Sequence, residues 1–419
     1  MDTAARPRSA IVVGNGVVGL SVAVALRRQG VATTIVAPDA AWRGASWGNA
    51  GHIAVEQVAP LASRATLRSM PTRLFLRGGA LGLPPRDLAT WLPFGLRLMR
   101  ASAPDRFEAG KIALSKLLAD ALPAWRRLLD VAQRSDLLRE DGHIVLWETP
   151  ETAARGRAAW ASSDIGTAQF RDLMADELAE LGRRISVPLA GGIRFSGSGQ
   201  IVDPAALGDA LHATFTQAGG RRRSGQVAAL VPTQQGVRVA LDDGGALDAD
   251  VAVVAAGAAS ARLLQPLGHR VPLIAERGYH LEAEPVDWPR ALPPVVFEDR
   301  SLILTRFAGA LRAASFVEFS TIERAPDPRK WARLAGHLAA LGIGFAETPR
   351  PWMGARPTLP DYLPAIGRSR RHPSIAYAFG HQHLGLTLAA TTGELLAGYL
   401  TGAKSHIDLS PYNVARFDR

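Results

Sequence analysis

The segment Ile11-Val-Val-Gly-Asn-Gly-Val-Val-Gly-Leu20 limits what this chain can fold into more than any other. An apolar run of strand character passes straight into Gly-x-Gly-x-x-Gly. Gly14 permits the tight turn, Gly16 lets the backbone approach a pyrophosphate, and Gly19 lets the following helix pack closely on the strand. The helix start then offers unpaired N–H groups and partial positive charge to phosphates. Taken alone, the glycine pattern is equally that of a bare turn. Here residues 20–28 continue at helical spacing, Gly30 follows, and residues 32–36 read as a second strand. That completes a βαβ unit, and the expected ligand is a dinucleotide.

With 419 residues, 47% hydrophobic and 21% charged, the chain can bury large cores and is expected to divide into about two domains. No run of eighteen apolar residues occurs, so no membrane-spanning helix is expected. The apolar N-terminal run is read as the nucleotide strand rather than a signal peptide, and a cytoplasmic location fits. The absence of cysteine excludes disulfides, thiolate metal sites and a flavin tethered through sulfur. The net charge of +10 raises the question of nucleic acid or anionic membrane. Clusters such as Arg221-Arg222-Arg223 and Arg368-Ser-Arg-Arg-His372 lack interleaved aromatics, are expected in turns, and read as solvated surface with no nucleic-acid partner. The apolar, aromatic stretch 87–100, ending in Arg97 and Arg100, reads either as an interfacial membrane segment or as a packed helix kinked at Pro93.

Residues 86–184 read as largely helical, 204–217 as a helix, and 225–231, 236–241 and 249–257 as strands. Antiparallel strands are expected within 271–319, a helix over 328–341, and a final helix reaching about residue 400. The fold class is α/β: a Rossmann-like nucleotide domain, discontinuous over 1–85, 190–268 and 350–419, with an antiparallel-sheet plus helices substrate domain over 86–189 and 269–349.

Three spaced motifs, Ser46-x-x-Asn-Ala-Gly51, Gly354-x-Arg-Pro-x-x-Pro-Asp361 and Gly380-His-x-His-Leu-Gly-Leu-Thr387, extend the pattern across the chain. Together they resemble the flavin-dependent D-amino acid oxidase and dehydrogenase superfamily, nearest the bacterial D-amino acid and D-hydroxyproline dehydrogenases. The resemblance implies non-covalent FAD in an extended pose. Its cradle would comprise Gly14, Gly16, Val17, Val18 and Gly19, then Ala37 at the end of the second strand, and Ser46, Asn49, Ala50 and Gly51. Val227, Ala256, Gly257 and Gly354 would follow, with Gly380, His383, Leu384, Gly385, Leu386 and Thr387 closing over the flavin. Ala37 stands where related flavoproteins carry the ribose-binding carboxylate. Asp39 either reaches the ribose from the loop or is a turn residue after proline.

For the substrate, the resemblance assigns Arg356 to the carboxylate, since its planar charged fork binds a carboxylate bidentately. The alternative for Arg356 is an ion pair with Asp361. Tyr279 matches a second carboxylate contact or is a buried aromatic, and Arg306 is a further wall candidate. His52, His381 and His383 are either structural or face the flavin, with His52 and His383 the preferred site residues. None shows metal-ligand spacing with a carboxylate partner, so no metal is expected. The implied activity is oxidation of a D-amino acid, D-proline and D-hydroxyproline included, by hydride transfer from Cα to flavin N5 to give an imine. Electrons would pass to a quinone or partner protein, with peripheral attachment to the inner face of the cell membrane in view. The alternatives are an oxygen-using oxidase of glycine or sarcosine type and a non-catalytic FAD-binding subunit.

Overall fold

The structure, a computed structural model, describes residues 6–38 and 44–418; Asp39 lies outside them. The strand Ser9–Val13 is apolar from Ala10 onward and buried on both sides, as a central parallel strand requires. It pairs in parallel with Ala32–Ala37 on one side and with Val251–Val254 on the other. The sheet continues to Ile375–Phe379, which pairs in parallel, and ends in antiparallel Ala365–Arg368. Its opposite edge is Arg221–Ser224, so the arginine cluster expected in a turn is an exposed edge strand. Charge along an edge discourages pairing with another chain.

Helix Val17–Arg28 lies on this sheet, and the final helix Gly385–Thr401 crosses it so closely that a Cβ on Gly393 would stand 2.6 Å from Ser21 O. Helix Pro204–Gln217 has the expected bounds, and the Asp203 carboxylate caps it by accepting from Ala206 N at 2.9 Å. A three-stranded antiparallel sheet, Val227–Thr233, Gly236–Leu241 and Ala246–Ala249, flanks the nucleotide sheet. A shorter trio joins His52–Ile53, Gly199–Ile201 and Leu138–Arg139.

The second large sheet has nine strands, running Arg350–Thr358, Ile274–Ala283, Leu311–Ser320, Leu302–Arg306, Val295–Phe297, Ile144–Trp147, Gly191–Ser196 and Gln169–Asp172, with Leu81–Gly82 beside Leu311–Ser320. Strands Gly191–Ser196 and Arg350–Thr358, which the sequence grouped with the nucleotide domain, thus pair inside the larger sheet. The region 86–184 is likewise not helical throughout. Ile144–Trp147 is a four-residue run buried at every position, and a run that short carries no period that separates strand from helix. Gln169–Asp172 is a polar strand at the sheet's edge, without the apolar alternation that signals a half-buried one.

Candidate active site and cofactor cradle

Two of the three fingerprint glycines, Gly14 and Gly19, are required by contact. Gly14 sits at φ +113°, and a Cβ there would stand 2.4 Å from Ala255 O, in the turn leading to Ala256 and Gly257. A Cβ on Gly19 would stand 2.2 Å from Gly14 O, which is the close helix-to-strand packing the fingerprint anticipates. The first turn of helix Val17–Arg28 holds no acidic residue, and its N-cap residue, Gly16, brings no capping side chain of its own. Ser46 Oγ accepts from Val17 N at 3.0 Å, bringing the Ser46-to-Gly51 loop onto the same helix start as Val17 and Val18. A dinucleotide phosphate fits this cradle: bare glycine backbone, a helix dipole and a hydroxyl meet, with no carboxylate in that first turn to repel it. Ala37 is buried and its carbonyl accepts from Gly225 N at 3.0 Å, so its side chain offers the ribose no hydrogen bond.

The Asn49 carboxamide is turned inward to accept from Gly51 N at 2.7 Å, bending the Asn49-Ala50-Gly51 loop. Arg312, which the sequence did not single out, is the strut of this loop. Buried and paired with Glu282, it donates to the carbonyls of Trp47 and Asn49. The C-terminal motif closes from the other side. Thr387 Oγ1 accepts from Ala54 N at 3.0 Å, and Leu386 O accepts from Trp125 Nε1 at 3.0 Å. Leu384 ends the short 3-10 turn that leads into the helix starting at Gly385.

Arg356 lies on strand Arg350–Thr358, opposite Glu276 of Ile274–Ala283. Its Nη1 donates to Glu276 Oε1 at 3.4 Å and to Phe316 O at 3.3 Å, leaving Nε and Nη2 for a ligand. The guanidinium rests over Gly278, where a Cβ would meet Nη2 at 2.2 Å, and the side chain stays 27% exposed. Phe316 reaches it through a β-bulge: Arg277 opposes Glu318 and Tyr279 opposes Ser315, so two residues of the neighbouring strand face Gly278 alone. Phe316 adopts φ +67°, a conformation unfavourable for an aromatic residue, and the bulge aims its carbonyl at the arginine. Glu276 is buried and also accepts from Thr358 Oγ1 at 3.1 Å and Tyr362 Oη at 3.2 Å. Burial, and then Glu276, push the Tyr362 hydroxyl well above its ordinary pKa, so it stays a donor. The ion pair of Arg356 is therefore with Glu276; Asp361 is taken by Arg416 at 2.6 Å.

His383 joins this face. Burial, opposed by Glu276, holds its ring at a pKa of about 4, and its Nε2 meets the Gln57 side chain. His381 is buried against Thr392 Oγ1 at 3.0 Å, and burial alone lowers its pKa to about 3. Trp352 and His280 stack at 4.8 Å with planes 14° apart. The Trp352 ring covers both Gly48 and Gly354, where a Cβ would stand 2.0 Å and 1.9 Å from ring atoms. The cofactor loop and the carboxylate strand thereby meet across one indole.

Two expected substrate residues lie elsewhere. Tyr279 is on the opposite face of its strand from Glu276, because side chains alternate along a strand. There it is fully buried, accepts from Arg277 Nη2 at 2.7 Å and from Asp327 N at 3.2 Å, and donates to Glu318 Oε1 at 2.9 Å. Arg306 is buried and paired with Glu284 at 2.6 Å. The His52 ring is held by Gly199 O and Glu56 and touches His143 edge-on. Of the preferred substrate residues, Arg356 and His383 share a locality, joined by Glu276, Gln57, Thr358 and Tyr362, which the sequence reading missed. The usable signal was strand parity, which puts 276, 278 and 280 on one face, but it becomes informative only once the partner strand is known.

A model of the FAD dependent oxidoreductase family matches residues 9–399. A D-amino-acid oxidase of Bradyrhizobium diazoefficiens is 30% identical, aligned over 98% of this chain and 99% of its own length. A D-amino acid dehydrogenase 2 of Pseudomonas aeruginosa is 32% identical over 95% and 96%. Among solved structures, a glycine oxidase from Geobacillus kaustophilus shares the fold, with a TM-score of 0.72, 22% identity and 99% of each chain covered. With its glycine cradle, its helix start and nearly its whole length matched, the chain belongs to the FAD dependent oxidoreductase family and uses FAD as cofactor.

Proposed function

We propose that the chain oxidises the Cα–N bond of a D-amino acid, cyclic secondary amines such as D-proline and D-hydroxyproline included, with Arg356 gripping the substrate carboxylate. The observation that carries this is the half-open guanidinium, anchored through Nη1 by Glu276 and Phe316 O while Nε and Nη2 stay available. Two parallel N–H donors suit a carboxylate. When bound, FAD supplies the hydride acceptor for Cα–H and leaves the product as an imine. Glu276, itself held by donors from Thr358 and Tyr362, keeps the arginine in register. His383, neutral at pH 7, adds a polar contact without repelling an amine. The Trp352–His280 stack walls the side facing Gly48. The relatives named as D-amino-acid oxidase and dehydrogenase support this substrate class.

Anaerobic addition of a panel of D-amino acids tests it: the flavin should bleach with at least one, and not with the L-enantiomers. A flavin that no D-amino acid reduces, but that glycine or sarcosine does, would favour the glycine or sarcosine alternative, and oxygen consumption in air would then separate oxidase from dehydrogenase. Failure of every amine would point to a non-catalytic subunit.

We further propose that electrons leave to a quinone or partner protein rather than to oxygen, with the enzyme resting on an anionic membrane surface. Helix Leu88–Ala101 exposes Leu88, Leu92, Leu96 and Met99 at 46%, 44%, 49% and 50%, a single stripe at helical spacing, and also exposes Arg97 and Arg100. Among the described residues no helix is long and apolar enough to cross a membrane. Neutralising Arg97 and Arg100 should weaken binding to anionic vesicles while leaving dye-coupled turnover intact, and salt should mimic the change. Rapid peroxide formation in air with no vesicle binding at low salt would overturn both points.

A further inference from the structure

His52, Glu56 and His143 converge from separate parts of the chain. His52 opens the short strand after the Asn-Ala-Gly loop, Glu56 follows four residues later, and His143 directly precedes strand Ile144–Trp147 of the nine-stranded sheet. One potential ligand atom from each lies within 4.8 Å of the others, and Glu56 and His143 are only 3% exposed.

The surroundings fix which atom of each group is left to serve as a ligand. His52 Nδ1 faces Gly199 O at 3.2 Å, which makes Nδ1 the donor and turns Nε2 to Glu56 Oε1 at 2.9 Å. His143 Nδ1 is held by Ser198 Oγ at 3.1 Å, leaving Nε2 as its unheld nitrogen, and the ring stacks on Phe195 at 4.3 Å. Histidines that ligate metals characteristically donate their other ring nitrogen to a carbonyl or other oxygen. Glu56 Oε2 is buried and has no hydrogen-bond partner, a costly state for a carboxylate oxygen.

We propose that His52, Glu56 and His143 bind a divalent ion of the zinc class, with water completing a tetrahedral set, as a structural site that ties the flavin-cradling segment to the nine-stranded sheet. Two imidazoles and a carboxylate are a ligand set that zinc accepts. The ion would place a positive charge against the orphaned carboxylate oxygen, and would brace the segment whose next residue, Gln57, contacts His383. No redox step is assigned to it. The site does not depend on the identity of the amine substrate, so its test can fail without touching that question.

The holoenzyme, stripped with a chelator and checked for retained FAD, is titrated with Co²⁺ and separately with Zn²⁺. The expected result is one Co²⁺ per chain, with the visible bands of a tetrahedral site, displaced by Zn²⁺. The melting temperature should rise with the logarithm of free metal. Glu56→Gln and His143→Asn should each weaken metal binding at least about tenfold, with FAD content and circular dichroism as in the parent. Absence of the Co²⁺ bands in the wild-type holoenzyme overturns the proposal, and so does metal binding unchanged in either folded variant. Should both variants fail to fold, the Co²⁺ spectrum and stoichiometry of the wild-type protein decide.

Discussion

Glu276 and Arg277 are neighbours on one strand, yet they serve opposite faces, and the two arginine–glutamate pairs built on those faces behave as different objects. On one side Arg277, with no exposure, is paired with Glu318 at 2.9 Å and donates to Tyr279 and to the carbonyls of Arg324 and Ala325. Glu318 also receives Lys330, itself buried and 3.4 Å from Asp327. Each buried charge there is paired inside the protein, although Arg277 Nε itself is left without a partner. On the other side Arg356 is 27% exposed, its contacts to Glu276 and Phe316 O are long, and two of its nitrogens are left over. The same chemistry is scaffold where it is sealed and occupied, and a recognition element where it is open and under-occupied. Burial decides between them, because removing one partner of a sealed pair strands a charge in low dielectric, whereas an open arginine can await a ligand in water.

The largest effect should come from Arg277→Met. Removing one member of the sealed network should destabilise the fold by about 3 to 5 kcal/mol, read by denaturant unfolding. A variant within about 1 kcal/mol of the parent in that assay would break the contrast between the two faces.

Arg356→Ala should do the reverse. FAD content should hold and stability should fall less than in Arg277→Met, because Glu276 keeps Thr358 and Tyr362, while kcat/KM for the amino acid falls by the equivalent of about 2 to 5 kcal/mol. Near-normal turnover in a folded Arg356→Ala variant would remove the recognition role from the open face.

Acid should act next. Burial lowers the pKa of His381 to about 3 and that of His383 to about 4, whereas the unfolded chain takes up these protons near pH 6.5. A neutral buried base favours the folded state fully above pH 6.5, and this contribution is lost as pH falls toward 4. The total is on the order of a few kcal/mol across the two rings. Unfolding free energy measured from pH 7 to pH 4 should fall with that sign, and His383→Gln should flatten the profile. A flat profile in the parent would mean that the rings are not held neutral.

Tyr279→Phe should be mildest. It deletes one hydroxyl that bonds Arg277, Glu318 and Asp327 N, at a cost of about 1 to 3 kcal/mol in stability. KM for the amino acid should not move. A KM increase without loss of stability would return Tyr279 to the substrate side.

How much could be read in advance differs by residue for physical reasons. The nucleotide unit was legible because its determinants are local: the Gly14 turn, the Gly19 contact and the helix start all lie within one short segment. Helix Pro204–Gln217 was legible from its Ala-Leu spacing. Arg356 stood out because its motif is contiguous. Glu276 did not, since it comes from a strand 80 residues earlier and nothing near it announces the pairing. Ile144–Trp147 and Gln169–Asp172 were hidden inside a helix-rich stretch, one too short to show a period and the other too polar.

The sequence by itself determined a dinucleotide cradle in its first βαβ unit, because that rests on backbone conformations that neighbouring residues dictate, whereas the flavin and the carboxylate role of Arg356 were expectations carried by the family resemblance. Only the tertiary structure decided which face of Ile274–Ala283 meets Arg356, that Tyr279 belongs to the sealed side, and that His52, Glu56 and His143 meet at all. Those outcomes follow from strand register and from bulges such as the one at Phe316. A one-residue slip in register turns every side chain of a strand to the opposite face, and register is fixed by packing across the whole sheet rather than by any local run of residues.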